Sequence, residues 1–309
     1  MVSNQFSLIH KEEQAHDNSV WSLAVGKGEK DTDCIITGSL DDTVKAWQWS
    51  DSGLSLRYIF EGHALGVVSV DINKEGNLTA SSSLDSHIRL WDLGSGEQAQ
   101  NIDAGPVDAW QICFSPDAKL IATASNRMNN SKINLYSSET GKPDHHIDTG
   151  GKFTLALDWS PDGQHIVTGA IDGIIRVFDV TTGSCKITYE GHAMPVRSVA
   201  FSHNSRYIAT ASDDCYIRIF DMDREKCTDP IYTLGGHGSW VLGVTFAPDD
   251  KSFASCSADK TVKLWEFGVK DTFHTFKEHR DQVCSCKFNP EGNRLISVGD
   301  DHMICIYSI

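Results

Sequence analysis

Serine, histidine and aspartate recur at fixed distances along this chain, and together they are the parts of a hydrolytic triad. His63 is followed 22 residues later by Asp85, and the same interval separates His192 from Asp214, His237 from Asp259 and His279 from Asp301. Four residues before each aspartate stands a hydroxyl, on Ser81, Thr210, Ser255 or Ser297. Six residues after it stands an aromatic ring, on Trp91, Phe220, Trp265 or Tyr307. A further set, Thr37, Asp41 and Trp47, follows His16, with the histidine and aspartate 25 apart. In a hydrolase the hydroxyl would attack, the imidazole would take its proton, the carboxylate would orient the ring, and an oxyanion hole would hold the developing charge. One active site needs one such set. Five interchangeable sets argue against catalysis and for a repeated structural device.

Other residues that could do chemistry are sparse. Cys284-x-Cys286 places two thiols on one side of a strand, but a zinc site needs more ligands at metal spacing, so these read as core thiols. Gly235-Gly236-His237-Gly238 opens no helix and so cannot cradle a phosphate. His145-His146 sits on a polar connection and reads as solvated. Nothing calls for a cofactor. With 27 basic and 42 acidic side chains the formal net charge is −15, which disfavours direct nucleic-acid binding and a polybasic membrane anchor. No run of 18 apolar residues suggests a membrane span, and Met1 to Gln14 lacks the apolar core of a signal peptide. Nine cysteines without a secretory signal read as free thiols in a reducing compartment.

The elements that must position the repeated sets are themselves repeated. Taking His16, His63, Gly105, Gly150, His192, His237 and His279 as equivalent, the steps are 47, 42, 45, 42, 45 and 42 residues. Seven units, approximately 14–57, 62–101, 104–146, 149–188, 191–230, 236–275 and 278–309, fill one domain over residues 1–309. In the fifth unit Val196–Phe201, Tyr207–Ser212, Ile217–Asp221 and Pro230–Leu234 read as strands, separated by Ser202-His203-Asn204-Ser205 and Asp213-Asp214-Cys215 turns. Short strands with regular turn signals and no helical period make the class all-β. The last unit stops at a third strand, Ile304–Tyr307, and Gln5–Ile9 reads as the spare strand that completes it. The third unit departs most: it lacks both His and Asp and carries a longer Asn126–Asn130 segment, read as a surface insertion.

A Gly-His pair, an Asp and a Trp-Asp-like end, literal at Trp91-Asp92 and near at Phe178-Asp179, Phe220-Asp221 and Trp265-Glu266, resemble the WD-repeat family over essentially the whole chain. The resemblance implies a seven-bladed β-propeller of four-stranded blades, with the N-terminal strand closing the last blade. It implies that each His, Asp, Ser or Thr and Trp form a buried network within one blade. Where Phe220 or Phe178 replaces Trp, no indole N–H is present and the network must be shorter. It also places three positions per unit on one face around the channel: the third and fifth residues after the His and the residue before the Asp. The fifth holds Trp21, Val68, Trp110, Leu155, Arg197, Leu242 and Cys284. The third holds Ser19, Gly66, Asp108, Phe153, Pro195, Trp240 and Gln282. The last holds Leu40, Leu84, Ile171, Asp213, Ala258 and Asp300. The expected partner-binding set is therefore Trp21, Leu40, Val68, Leu84, Trp110, Phe153, Leu155, Ile171, Arg197, Trp240 and Leu242, since exposed apolar patches mark interaction sites and Trp and Arg are typical hot spots.

Segments 62–71, 81–92, 102–110 and 191–195 exceed the general repeat pattern and are similar to the family of animal WD-repeat subunits of the superkiller (Ski) complex. That resemblance implies a non-catalytic scaffold, monomeric within hetero-complexes. The implied partners are a tetratricopeptide-repeat Ski subunit and, through it, an RNA helicase that feeds the exosome for 3′-to-5′ mRNA decay. It further implies membership of the Paf complex, with RNA polymerase II transcription elongation and histone modification, and a cytoplasmic and nuclear location. A histone-tail reader would use the same face. A ubiquitin-ligase substrate receptor usually carries Trp-Asp-x-Arg, whereas Trp91-Asp92 continues into Leu93-Gly94.

Overall fold

The computed structural model describes residues 6–28, 32–105, 110–124, 131–150, 152–224 and 227–309. Gln5, Asp108 and the Asn126–Asn130 segment lie outside the described residues. Six units of the sequence each become one antiparallel sheet of four strands, the seventh supplies three strands and borrows its fourth from the N-terminal segment, and the seven sheets make a β-propeller. Blade 5 shows the derivation best. Its first three strands, Val196–Phe201, Tyr207–Ser212 and Ile217–Asp221, have the bounds expected from sequence. Its outer strand is only Tyr232–Leu234, because Pro230 brings no N–H to the ladder.

Burial follows position in the blade. Tyr207–Ser212, the second strand, is buried along nearly its whole length, since neighbouring blades cover both of its faces. Gln98–Asp103, the outer strand of blade 2, is mostly exposed. The core consequently lies between blades. One cluster joins Ile296, Val298, Ile304 and Ile306 of blade 7 to Val20, Leu23, Ile35 and Trp47 of blade 1. Truncating one such buried aliphatic to alanine costs about 2–5 kcal/mol.

The ring closes as a covalently discontinuous blade. Ser7–Glu12 is the outer strand of blade 7, antiparallel to Ile304–Ser308, with Ser7 opposite Ser308 and Glu12 opposite Ile304. It begins and ends later than the Gln5–Ile9 expectation, because Ile9 is spent in a bulge between Leu8 and His10. Closure pairs a strand edge that would otherwise stand open.

Candidate functional site: a saturated network beneath an apolar face

The aspartate of each network is held first by its own turn. The residue after it takes φ of +70° at Asp42, +72° at Ser86, +69° at Cys215, +71° at Lys260 and +66° at His302. The Asp85 carboxylate accepts from the His87 N–H at 2.9 Å, and Asp214 and Asp259 accept likewise from Tyr216 and Thr261 at 3.0 Å. The carboxylate is thereby aimed at the histidine. In blade 2, His63 Nδ1 lies 3.0 Å from Asp85, His63 Nε2 lies 2.8 Å from Ser81 Oγ, and Trp91 Nε1–H donates to the same hydroxyl at 2.9 Å. Blade 6 repeats this through His237, Asp259, Ser255 and Trp265, the last bond 2.8 Å long. Blade 1 does so through His16, Asp41, Thr37 and Trp47. In blade 5, Thr210 is 2.8 Å from His192, and its hydroxyl donates to the Arg218 carbonyl instead of meeting an indole. In blade 7, Ser297 bridges His279 at 2.7 Å and the Tyr307 hydroxyl at 3.3 Å.

These hydroxyls are fully buried and spent on fixed partners, as at Ser81, Thr210, Ser255 and Ser297. None is a free nucleophile, and the arrangement is a tie between a blade's entry loop and its turn. Burial lowers His63 and His192 to about 4, with Asp85 and Asp214 pulling the other way. Arg89 and Arg218 add to the lowering, each guanidinium touching both its aspartate and the imidazole. Both rings are neutral at pH 7. His279 differs because Cys305 occupies the corresponding position. Burial would lower it, but Asp301 and the Cys305 thiol raise it to about 9.

The face positions are built by a second repeated device. The inner strand of six blades slips register by one residue, between Val20 and Ser22, Val67 and Ser69, Thr154 and Ala156, Val196 and Ser198, Val241 and Gly243, and Val283 and Ser285. The skipped residue is always the fifth after the His position. A bulge re-aims its side chain, and Trp21, Val68, Trp110, Leu155, Arg197, Leu242 and Cys284 all line one channel, a cavity of about 190 Å³. The third position and the residue before the aspartate are tied by a backbone bond. Leu40 N–H donates to Ser19, Leu84 to Gly66, Ile171 to Phe153, Asp213 to Pro195, Ala258 to Trp240 and Asp300 to Gln282.

Exposure separates the expected set. Leu84 is 48%, Ile171 53% and Trp240 46% exposed. Trp21, Leu40, Val68, Trp110, Phe153, Arg197 and Leu242 are half-buried. Leu155 does not present itself to solvent: it is 8% exposed, a side chain of the channel lining rather than of the outer rim. Trp21 donates its indole N–H to Asp300 at 3.3 Å, and the Cys284 thiol donates to the same oxygen. This parts Cys284 from Cys286, which is buried in the core between blades 6 and 7, so only one of the pair is a core thiol. Arg197 makes a bidentate pair with buried Asp213 and lies 5.9 Å from the Trp240 ring centre. Exposed Leu65 and Met194, at 52% and 44%, join the face from the second position after the His. Their signal was available as apolar residues inside the turns that follow His63 and His192.

The WD domain, G-beta repeat family matches residues 7–48, 54–92, 141–179, 183–221, 228–266 and 270–308. The unmatched stretch spans most of unit three, where the His and Asp are missing. A WD repeat-containing protein, SL1-17 of Schistosoma mansoni, is 42% identical over 96% of this chain and 97% of its own length. The WD repeat-containing protein VIP3 of Arabidopsis thaliana is 33% identical over 62% of each chain. The meiotic recombination protein rec14 of Schizosaccharomyces pombe is 31% identical over 72% of each. Saturated networks, bulged channel residues and these matches agree: the chain belongs to the WD-repeat family and is a propeller scaffold.

Proposed function

We propose that this protein is a non-catalytic subunit that docks partners on the face where its inner strands begin, serving the Ski complex in exosome-mediated 3′-to-5′ mRNA decay and the Paf complex in transcription elongation. The observation that carries the reading is the set Leu84, Ile171 and Trp240, each close to half exposed or more on turns of one face. Exposed Leu65 and Met194 add to the apolar side chains of that face, and a face rich in such side chains is a candidate interaction site. The similarity of segments 62–71, 81–92, 102–110 and 191–195 to superkiller WD-repeat subunits supports a tetratricopeptide-repeat partner and, through it, a helicase. The net charge of −15 supports indirect contact with RNA, and the two assemblies place the protein in both cytoplasm and nucleus. The test is affinity purification with mass spectrometry from cells carrying the wild type, Trp240→Ala or Ile171→Ser. Helicase and tetratricopeptide subunits should be recovered with the wild type and depleted at least about tenfold with the variants, the loss expected of a hot spot. Recovery of a cullin adaptor instead, or equal recovery with all three proteins, contradicts the reading.

A further inference from the structure

Each inner strand pairs with its own blade along one edge and turns the other edge toward the channel and the preceding blade. N–H groups on that second edge have no strand to meet, and side chains of the preceding blade take several of them. Ser22 Oγ accepts from Val70 at 2.8 Å and Ser198 Oγ from Val244 at 3.3 Å. The joints around blades 3 and 4 are furnished differently. Ser69 Oγ accepts from Ile112 at 3.2 Å, and Asp71 Oδ2 accepts from Phe114 at 2.7 Å. Gln111 Oε1 accepts from Leu157 at 3.0 Å, and Asp158 Oδ2 from Phe201 at 2.7 Å. Among the described residues no such bond joins blade 6 to 7 or blade 7 to 1. The amide and carboxyl acceptors Gln111, Asp71 and Asp158 therefore stand at the three joints that flank blades 3 and 4, the blades whose histidine is replaced by Gly105 and Gly150.

We propose that Asp71, Gln111 and Asp158 form a clamp on the channel wall that holds blades 3 and 4 in the ring in place of the missing histidine ties. A histidine network fixes the loop entering a blade to that blade's turn. Without it, a blade can be held to its neighbours only through packing or through the inner strand, and the inner strand is where these three side chains act. Their chemistry suits the task. A carboxylate accepting a backbone N–H makes a shorter, stronger bond than a neutral hydroxyl. Asp158 is also fixed in its own rotamer, because its second oxygen accepts from the Trp159 N–H at 3.0 Å. The wall position varies round the ring: blades 2 and 4 hold Asp71 and Asp158, blade 3 holds Cys113, blade 7 holds Lys287, and blade 6 holds Thr245, which accepts no such N–H among the described residues and so serves as the control.

Amide hydrogen exchange on the full chain, compared among the wild type, Asp71→Ala, Asp158→Ala, Asp71→Asn and Thr245→Ala, tests the clamp. The Phe114 amide in Asp71→Ala and the Phe201 amide in Asp158→Ala should exchange at least about tenfold faster, as expected from losing a charge-assisted bond. The acceleration should spread into the strands of blades 3 to 5 and spare blades 6 and 7. Asp71→Asn keeps an acceptor oxygen and should give an intermediate, local acceleration; it decides the matter if the alanine variant does not fold. Unchanged exchange at Phe114 and Phe201, acceleration spread evenly round the ring, or the same acceleration at these two amides in Thr245→Ala, overturns the clamp.

Discussion

Replacing Asp85 by alanine removes more than one hydrogen bond. The carboxylate accepts from His63 at 3.0 Å, from the Ala64 N–H at 2.9 Å, from the His87 N–H at 2.9 Å and from Arg89 at 3.0 Å, and its side chain is 7% exposed. Burial alone would raise this carboxyl, yet the bonds from Ala64, His87 and His63 hold it well below the usual carboxylate range. Deleting it leaves the Arg89 guanidinium beside a neutral, buried imidazole with no counter-charge. Breaking a buried pair from one side costs about 3–5 kcal/mol, a large share of the roughly 5–15 kcal/mol that stabilises a folded domain. Asp172 of blade 4 is the natural control, because its blade has Gly150 where the histidine would be. Among the described residues Asp172 accepts from Ile174 at 3.1 Å and Arg176 at 3.0 Å, and its side chain is 20% exposed. Its removal should cost about 1–2 kcal/mol. Urea denaturation followed by tryptophan fluorescence, with the slopes unchanged, measures both. Equal losses for Asp85→Ala and Asp172→Ala would refute the claim that the histidine network is what makes the aspartate valuable.

Stability should depend on pH from two sides. His63 and His192 stand at 6.5 unfolded and about 4 folded, so their contribution is full above 6.5 and falls as pH drops toward 4. The unfolded chain then takes protons that the native rings refuse, at about 3 kcal/mol for each histidine. His279 has the opposite sign: with a folded value near 9, its contribution is full below 6.5 and is lost as pH climbs through 9. Denaturation midpoints between pH 4 and 10 should fall at both ends, and a profile flat from 6.5 to 4 contradicts the neutral-imidazole assignment. Deleting residues 1–12 strips the outer strand from blade 7, so the truncated chain should melt lower and aggregate through the open edge of Ile304–Ser308; melting at the wild-type temperature would show that closure contributes nothing.

The fold was highly legible because one pattern is written several times. Repetition makes the step lengths visible, and the short apolar second strand with its Asp turn fixes register in every copy but the third, as in Tyr207–Ser212 followed by Asp213-Asp214. The candidate face was legible in identity but not in exposure. Leu155 and Leu84 look alike as leucines at face positions, yet one lies in the channel lining and the other rides outward on a turn. Bulges arise from the geometry of two strands and leave no mark in either one alone. The channel acceptors were equally silent. Asp71 and Asp158 stand in inner strands with no motif around them, and their meaning appears only when Phe114 and Phe201 of the next blades are brought alongside. Leu65 and Met194 were missed for a simpler reason: they sit one place before the position that was read.

The central claim is that a closed propeller ring offers the face carrying Leu65, Leu84, Ile171, Met194 and Trp240 as its docking surface. Hydrogen–deuterium exchange of the full chain, free and mixed with the proposed tetratricopeptide-repeat partner, tests it most directly. The account predicts protection in the turns around 65–68, 84–86, 171–173, 194–197 and 240–242. Protection confined to the outer strands or to the opposite face, with those turns exchanging as in the free protein, would contradict it.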